Sequence, residues 1–163
     1  MLIALIARVG SSRLPRKPLL NLSDEGCSLE RIFNSAKIAG LDNKIYVLTS
    51  DLKADNEISA LCDQLNIKYL RGDPQYVLSR LIKLAKKNQD EEYIYYLGSD
   101  SPLVDISFIK EIISRFISLN NTKIDLLTCY FPNTFPGGYE VNIVSTKWLK
   151  KIDIDKLHYS ERE

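Results

Sequence analysis

The amino-acid sequence predicts an α/β fold, a mostly parallel β-sheet with helices on both faces. Short apolar runs typical of strands alternate with segments whose apolar residues recur at intervals of three and four, as in amphipathic helices. The strand-like runs are mostly apolar, as expected of parallel strands that are covered on both faces. Because 163 residues suit one core and no linker interrupts the alternation, we predict a single domain over residues 1–163.

Six segments are predicted to form strands. The first five are short apolar runs, and the sixth is an alternating segment that follows a loop containing proline and glycine. The six segments are residues 2–7, 44–49, 67–71, 93–97, 124–130 and 139–144. Residues that directly follow the parallel strands are expected at the carboxyl edge of the sheet, where open α/β sheets bind ligands.

Helical periodicity connects the predicted strands. The segments that carry it are residues 29–39, 58–65, 77–85 and 109–117. Gly40 is expected to end the first helix, and Pro74 to occupy the first turn of the third. Asp105 is expected to cap the fourth helix, and Ser145 to cap a further short helix that reaches Leu149.

Composition and charge limit the classes of function. The formal net charge of +1 argues against a broad surface for nucleic acid but leaves room for a local basic pocket. No apolar run approaches the roughly 20 residues that cross a bilayer, so we expect no membrane association. The cysteines Cys27, Cys62 and Cys129 lack CxxC spacing and are expected to be reduced thiols in a cytoplasmic protein.

The segment of residues 8–17 directly follows the first predicted strand and carries groups that bind phosphate. Glycine lets the backbone approach an anion, serine hydroxyls and amides donate hydrogen bonds, and cationic side chains supply charge. The candidate residues are Arg8, Gly10, Ser11, Ser12, Arg13 and Lys17. The segment matches neither GxxxxGK[ST] nor GxGxxG, which argues against an ordinary P-loop ATPase and a dinucleotide-dependent dehydrogenase. Taken singly, these residue types are equally compatible with a solvated turn.

The order of these residues resembles the signature R-x-G-S-x-R-L-P-x-K of the cytidylyltransferases that activate sugars, most closely the spore coat polysaccharide type and also the Kdo and sialic acid types. In that family the loop holds the nucleotide triphosphate. The matching positions are Arg8, Gly10, Ser11, Arg13, Leu14, Pro15 and Lys17. The resemblance implies a Rossmann-like nucleotidyltransferase fold and the transfer of CMP from CTP to a sugar, with release of pyrophosphate. It also implies nucleotide contacts from Ala7 and Gly98.

Two pairs of later residues resemble further parts of the family pattern. Thr49 and Asp51 are similar to its T-x-D turn beside the base and ribose. Arg71 and Arg80 begin and end a stretch similar to R-G-x-x-x-x-V-L-x-R, and the resemblance assigns both to the nucleotide. Each match has an alternative, because Thr49 and Asp51 also suit caps of the next helix, and the two arginines also suit surface charges.

Residues 98–105 resemble the family's G-D-x-P-L-[IV]-D. The resemblance assigns Asp100 to the catalytic Mg²⁺, a cation that prefers carboxylate and phosphate oxygens. Asp105 precedes a periodic helix and is expected to cap it instead. Ser99 separates Gly98 from Asp100, where the family commonly has glycine directly before aspartate, so the register at Asp100 is open by one residue. The predicted catalytic residues are Arg13, Lys17 and Asp100.

Residues 134–142 resemble T-F-P-x-G-x-[DE]-V-E, where family members begin their acceptor contacts and subunit interface. Glu140 is predicted either to bind an acceptor hydroxyl or to be a solvent-facing strand carboxylate. Several residues depart from the family pattern and leave the substrate and the activity open. They are Arg16, Gln75, Tyr76, Ser79, Gly137 and Asn142.

The resemblance implies CTP and a sugar acceptor as ligands, and a homodimer as the assembly. The charged end at residues 160–163 follows no stop signal, and we expect the family's C-terminal part to be missing. The competing hypothesis is a degenerate or truncated nucleotide-binding module without turnover. Nucleotidyltransferases for molybdopterin or methylerythritol phosphate are a third possibility, which their more glycine-rich first loops disfavour.

Overall fold

The computed structural model describes residues 1–10, 14–24, 26–119, 123–130, 132, 135–136 and 138–158. Within these residues the strands are β1 Leu2–Ile6, β2 Asn21–Ser23, β3 Gly26–Cys27, β4 Ile45–Ser50, β5 Lys68–Gly72, β6 Tyr93–Gly98, β7 Leu126–Thr128 and β8 Asn142–Ser145. The α-helices are α1 Ser28–Ile38, α2 Asn56–Leu65, α3 Val77–Lys87, α4 Ile106–Ser118 and α5 Thr146–Lys151. None of these described helices has the length and apolar character needed to cross a membrane.

The described strands form one large sheet of six strands in the order β5-β4-β1-β6-β8-β7. β5, β4, β1 and β6 are parallel, whereas β8 runs antiparallel to both of its neighbours. This arrangement confirms the predicted α/β fold with a mostly parallel sheet. The observed strands β7 and β8 are shorter than the predicted strands 124–130 and 139–144, and β8 begins later. The two strands pair with each other only from Leu126 opposite Val144 to Thr128 opposite Asn142. The small antiparallel pair of β2 and β3 was not predicted from the sequence.

Side chains of β1 alternate between two apolar cores, one on each face of the sheet. Ile3 and Leu5 pack with α1, α2 and α4, whereas Leu2 and Ala4 pack with α3 and α5. All of these β1 side chains are buried. Burial on both faces explains why the first strand is apolar at consecutive positions rather than alternating.

Three predicted helix ends agree with the structure. The Asp105 carboxylate accepts hydrogen bonds from two amides of the first turn of α4, at 2.8 and 3.3 Å. The Ser145 hydroxyl accepts one from the first turn of α5 at 3.2 Å. Gly40, just after α1, has a φ of 71°, a left-handed conformation that glycine adopts without strain.

Pro74 does not occupy the first turn of α3, so this prediction is wrong. The helix begins at Val77. The Asp73 carboxylate accepts hydrogen bonds from the amides of Gln75 and Tyr76, at 2.7 and 3.0 Å, and holds a turn ahead of the helix. Pro74 lies inside that turn, a place for which its fixed φ is equally suitable.

Candidate functional site

The predicted site residues lie at the carboxyl edge of the parallel strands. Backbone pairing continues just beyond the strands, because the Ala7 amide donates to a β4 carbonyl at 3.1 Å and the Ser99 amide donates to a β1 carbonyl at 3.0 Å. The Asp51 amide donates to the last carbonyl of β5 at 2.9 Å. The loops after β1, β4, β5 and β6 therefore leave the sheet side by side, at the edge where this class of sheet binds ligands.

A backbone hydrogen bond joins the two described ends of the loop after β1. The Arg16 amide donates to the Val9 carbonyl at 2.9 Å, and Arg16 has a φ of 59°, in the left-handed region. A glycine, frequent at this position in the pattern that the loop resembles, would adopt that conformation without strain. Gly10 is exposed, and within the described residues no atom is found within 4 Å of the place where a Cβ would stand. The remaining candidates of this loop, Ser11, Ser12 and Arg13, lie outside the described residues.

Two of the predicted catalytic residues are in direct contact. Lys17 Nζ lies 2.8 Å from Asp100 Oδ2, and the two side chains are 42% and 46% exposed. Gly98 makes room for this geometry, because a Cβ at that position would lie 2.5 Å from Asp100 Oδ1. The loops after β1 and β6 thus present an ammonium and a carboxylate together, and both groups are accessible to a ligand.

The loop after β4 is held by Arg71. Its Nε donates to the Ser50 carbonyl at 2.9 Å, its Nη2 to the Leu52 carbonyl at 2.8 Å, and its Nη1 to Asn56 Oδ1 at 2.8 Å. The hydrogen bonds of Nη1 and Nη2 are exposed, so Arg71 is a charge at the surface that also shapes this loop. Whether it also contacts a nucleotide stays a prediction.

Thr49 and Asp51 do not cap the next helix. α2 begins at Asn56 with Asp55 at its N-cap position, so the capping alternative is wrong. Thr49 is fully buried, and its Oγ1 has no hydrogen-bond partner among the described residues. Asp51 is exposed at the carboxyl edge.

Arg80 is buried below the same edge, so the surface-charge alternative is wrong for this arginine. It is 1% exposed, and its Nη1 donates to the Leu48 carbonyl at 3.1 Å. Gly72 admits the side chain, because a Cβ there would lie 2.9 Å from Arg80 Cγ. Burial lowers the pKa of Arg80 and the charge of nearby Arg8 lowers it further, while the carboxylates of Asp55 and Asp73 oppose this shift. The guanidinium lies under the strand ends rather than on the open surface.

Asp55 is a buried carboxylate that was not among the site residues predicted from the sequence. It is 2% exposed; Oδ1 accepts from the Val9 amide at 2.7 Å, and Oδ2 accepts from the Ser50 amide at 3.2 Å. Oδ2 also accepts from the Ser50 hydroxyl. An aspartate directly before an amphipathic helix is read as a cap. The sequence signal for Asp55 is its position shortly after the end of the buried strand β4, which is not specific.

A family model described as cytidylyltransferase matches residues 2–148, a range that contains every loop of this edge. The chain belongs to the cytidylyltransferase family. The match confirms the resemblance that residues 8–17 and 98–105 carry in the sequence.

Relatives of the chain include proteins named for sugars and polysaccharides. The spore coat polysaccharide biosynthesis protein SpsF of Bacillus subtilis (strain 168) is 30% identical over 108 residues, 64% of this chain and 45% of that protein. The 8-amino-3,8-dideoxy-manno-octulosonate cytidylyltransferase of Shewanella baltica (strain OS155 / ATCC BAA-1091) is 31% identical over 156 residues, 91% of this chain and 54% of that protein. The chain therefore spans about half the length of the curated relatives it matches.

A similar solved structure is that of a cytidylyltransferase from Leptospira borgpetersenii serovar Hardjo-bovis (strain JB197). It is 27% identical, with a TM-score of 0.87, and the likeness covers 99% of this chain and 67% of that chain. This likeness extends over the antiparallel strands as well as the parallel ones, and it confirms the predicted nucleotidyltransferase fold.

Glu140 lies in the segment that precedes β8, and Asn142 is the first residue of β8. The Glu140 carboxylate accepts from the Gly138 amide at 3.3 Å, and its backbone carbonyl accepts from the Tyr95 hydroxyl at 2.7 Å. Asn142 is buried, and its Oδ1 accepts from the Thr128 hydroxyl at 2.9 Å. A neutral amide suits this buried position better than the acidic residue that the family pattern has there. Thr134 and Gly137 of the same pattern lie outside the described residues.

Proposed function

We propose that this chain forms the nucleotide-binding part of a sugar cytidylyltransferase, which transfers CMP from CTP to a sugar and releases pyrophosphate. The observation that carries the proposal is the contact of 2.8 Å between Lys17 and Asp100 at the open carboxyl edge of the sheet. This contact joins the loop that resembles a triphosphate-binding loop to the loop that resembles a metal-binding one. Membership of the cytidylyltransferase family supports CTP as the nucleotide.

The triphosphate is proposed to lie along residues 8–17. Gly10 and Arg8 are exposed, no described atom lies close to a Cβ built at Gly10, and Lys17 is 42% exposed at the other end of the segment. Such a segment offers charge and hydrogen-bond donors to a ligand that carries several negative charges. Ser11, Ser12 and Arg13 belong to the same segment, and the family resemblance supports their donating to the phosphate oxygens.

The base and the ribose are proposed to lie beside the loop after β4. Asp51 is an exposed residue of this loop, and Ala7 follows β1 next to it in the sheet, with its amide donating to the Leu48 carbonyl of β4 at 3.1 Å. Arg71 fixes the loop through its carbonyl oxygens. Thr49 and Arg80 are buried and are proposed to support the nucleotide from below, with polar atoms that have no partner among the described residues.

Asp100 is proposed to hold a Mg²⁺ ion. Nucleotide sites commonly bind Mg²⁺ through one or two carboxylates together with phosphate oxygens, and Asp100 offers one carboxylate that is 46% exposed. Among the described residues, no group of three or more histidine, cysteine or acidic side chains could hold a metal ion. The fit is therefore that of a single protein carboxylate combined with a nucleotide. When bound, Mg²⁺ supplies neutralisation of the charge on phosphate oxygens.

In the proposed reaction, a hydroxyl oxygen of the sugar attacks the α-phosphorus of CTP in line with the leaving group. A bond forms between that oxygen and the α-phosphorus, the bond to the β-phosphate oxygen breaks, and the hydroxyl proton passes to solvent. Lys17 exchanges Asp100 for the β- and γ-phosphates and neutralises the departing pyrophosphate, and the family resemblance supports the same role for Arg13. Positioning and charge neutralisation of this kind carry most of the barrier reduction in phosphoryl transfer.

The acceptor is proposed to be an acidic or cell-surface polysaccharide sugar. Support comes from the names of the two curated relatives, which refer to spore coat polysaccharide and to 8-amino-3,8-dideoxy-manno-octulosonate. A cytoplasmic location is proposed as well, since Cys27, Cys62 and Cys129 are free and buried thiols. A homodimer stays a prediction of the family resemblance.

Calorimetric titration with CTP and Mg²⁺ tests the proposal, with ATP, GTP and UTP as competitors. A pyrophosphate-release assay over a panel of acidic sugars follows on the same protein. The proposal expects CTP to bind more tightly than the other nucleotides and pyrophosphate to appear with at least one sugar. CTP binding without release would instead favour a nucleotide-binding module without turnover. The absence of CTP binding would contradict both.

A further inference from the structure

A buried carboxylate connects two of the loops at the carboxyl edge. We propose that Asp55 is a positioning residue, which fixes the phosphate loop after β1 relative to the loop after β4; this role rests on the proposed function. Asp55 is buried, and it acts through the backbone amides of Val9 and Ser50 that it binds and not through direct contact with a ligand.

The contacts of Asp55 divide between the two loops. Oδ1 accepts from the Val9 amide at 2.7 Å, and Val9 directly precedes Gly10 in the phosphate loop. Oδ2 accepts from the Ser50 amide at 3.2 Å and from the Ser50 hydroxyl. Ser50 lies between Thr49 and Asp51, the two residues predicted to contact the base and ribose. One side chain therefore sets the separation of the two halves of the proposed site.

The chemistry of the bridge requires a carboxylate. Three donors meet two oxygens, and an ionised carboxylate offers acceptors only. The group is 2% exposed, so its charge needs compensation. It stands at the N-cap position of α2, where the helix dipole favours a negative charge, and the buried guanidinium of Arg80 is close enough to interact with it electrostatically.

Asp55→Asn tests the bridge with almost no change of volume. An amide turns a donor toward either the Val9 amide or the Ser50 amide, so one backbone donor loses its acceptor in each orientation. The two loops then lose their fixed separation, although every predicted ligand contact is still present. We expect CTP to bind about 10- to 100-fold more weakly, since misplacement of binding groups by about 1 Å has effects of this size.

The matched control is Thr146→Val, which removes a buried hydroxyl at the opposite edge of the sheet. Thr146 is 3% exposed, and its hydroxyl lies 2.6 and 3.0 Å from the carbonyl oxygens of Glu91 and Glu92. This variant also loses a buried hydrogen bond, so it reports the effect of lower stability alone. Calorimetry with CTP and Mg²⁺ and urea unfolding are measured on wild type, Asp55→Asn and Thr146→Val. CTP affinity is expected to fall only in Asp55→Asn, even where the two variants unfold at similar urea concentrations.

A second measurement on the wild type keeps the inference testable if Asp55→Asn does not fold. Amide hydrogen exchange by NMR, without nucleotide, should show the Val9 amide protected like the amides of β1, although Val9 lies outside the strand. Val9 exchanging as fast as an open loop would overturn the inference. So would a folded Asp55→Asn variant that binds CTP as wild type does. A wild type that fails to bind CTP contradicts the proposed function instead, whatever the Val9 amide shows.

Discussion

Among the single residues, Lys17 and Asp100 form a contact that matters more for ligand binding than for stability. Both side chains are close to half exposed, and exposed ion pairs contribute about 0 to 1 kcal/mol to stability. Each partner can therefore leave the other at low cost when a nucleotide and its metal arrive. The ligand-free pair places a cation beside the predicted phosphate path and keeps a carboxylate accessible.

Lys17→Ala should remove most pyrophosphate release and leave the fold intact. The loss of one charge-stabilising donor typically costs about 10²- to 10³-fold in rate. The free energy of unfolding should change by less than about 1 kcal/mol because the pair is exposed. Steady-state pyrophosphate release and urea unfolding measure the two effects. Lys110→Ala, which removes an exposed lysine of α4 bound to the Ala39 carbonyl at 3.0 Å, is the control. Near-normal turnover of Lys17→Ala would contradict the assignment.

Gly98→Ala should impair the proposed metal and nucleotide site through Asp100. The new Cβ would lie 2.5 Å from Asp100 Oδ1, so the carboxylate must move, whereas the φ of Gly98 is outside the left-handed region and the backbone tolerates alanine. We expect Mg²⁺-dependent CTP affinity to fall about 10-fold or more. In an Asp100→Ala background the same change should add less than about 2-fold, because the two residues act as one unit. Equal effects in both backgrounds would show that Gly98 acts independently of Asp100.

At the scale of elements, two carboxylates of one loop have separate tasks. Asp105 caps α4 through two amide hydrogen bonds, whereas Asp100 points to Lys17. Asp105→Ala should lower the free energy of unfolding by about 1 kcal/mol, the usual value for the loss of an N-cap, and should hardly affect CTP binding. Asp100→Ala should weaken CTP binding and hardly change the free energy of unfolding. Urea unfolding and calorimetry on the two variants separate the roles, and Asp105→Ser, which retains a capping oxygen, should restore most of the stability. A large loss of stability in Asp100→Ala would refute the division.

The sequence predicts the parallel half of the sheet more closely than the rest. The predicted bounds of β1, β4, β5 and β6 differ from the observed ones by one residue at most. The runs of β1, β4 and β6 are mostly apolar and buried, as expected of strands covered on both faces, whereas β5 at the edge of the sheet is only partly buried. β7 and β8 are short, and their pairing depends on partners distant in sequence. The pair of β2 and β3 has only three and two residues, too few for a periodic signal.

The exposed loop residues of the candidate site could be predicted from the sequence, but the burial of the charged residues beneath them could not. The motifs locate Lys17 and Asp100, but their mutual contact follows from the strand order and not from any motif. From the sequence, Arg80 is assigned to the nucleotide or to the surface and no role is predicted for Asp55, yet both residues are buried. Burial of a charge depends on which backbone groups converge on it, and this convergence arises only when the chain is folded.

Across the molecule, charged groups at the two edges of the sheet have different roles. At the carboxyl edge Lys17, Asp100 and Asp51 are exposed and accessible to a ligand. At the opposite edge Glu91 accepts from Lys44 Nζ at 2.8 Å and from the N-terminal ammonium. The first edge is thus suited to binding, and the second links the start of β1 to the start of β6 and stabilises the fold.

This division predicts how stability depends on pH. Burial raises the pKa of Glu91, but its hydrogen bonds with Lys44 and the N-terminal ammonium lower it more, so that the pKa in the folded chain lies below the ordinary value of 4.5. A carboxyl with a depressed pKa adds stability that is fully present above its unfolded pKa and is lost as pH falls through the folded value.

Glu91→Gln should therefore be less stable than wild type near about pH 7, and the difference should shrink below pH 4.5, once protons begin to bind the wild-type carboxyl. Urea unfolding of both proteins over a series of pH values measures this difference directly. Glu92→Gln, which changes an exposed neighbour, should follow the wild-type curve throughout. A stability difference between wild type and Glu91→Gln that stays constant from neutral to acid pH would mean that Glu91 acts through packing and not through its charge.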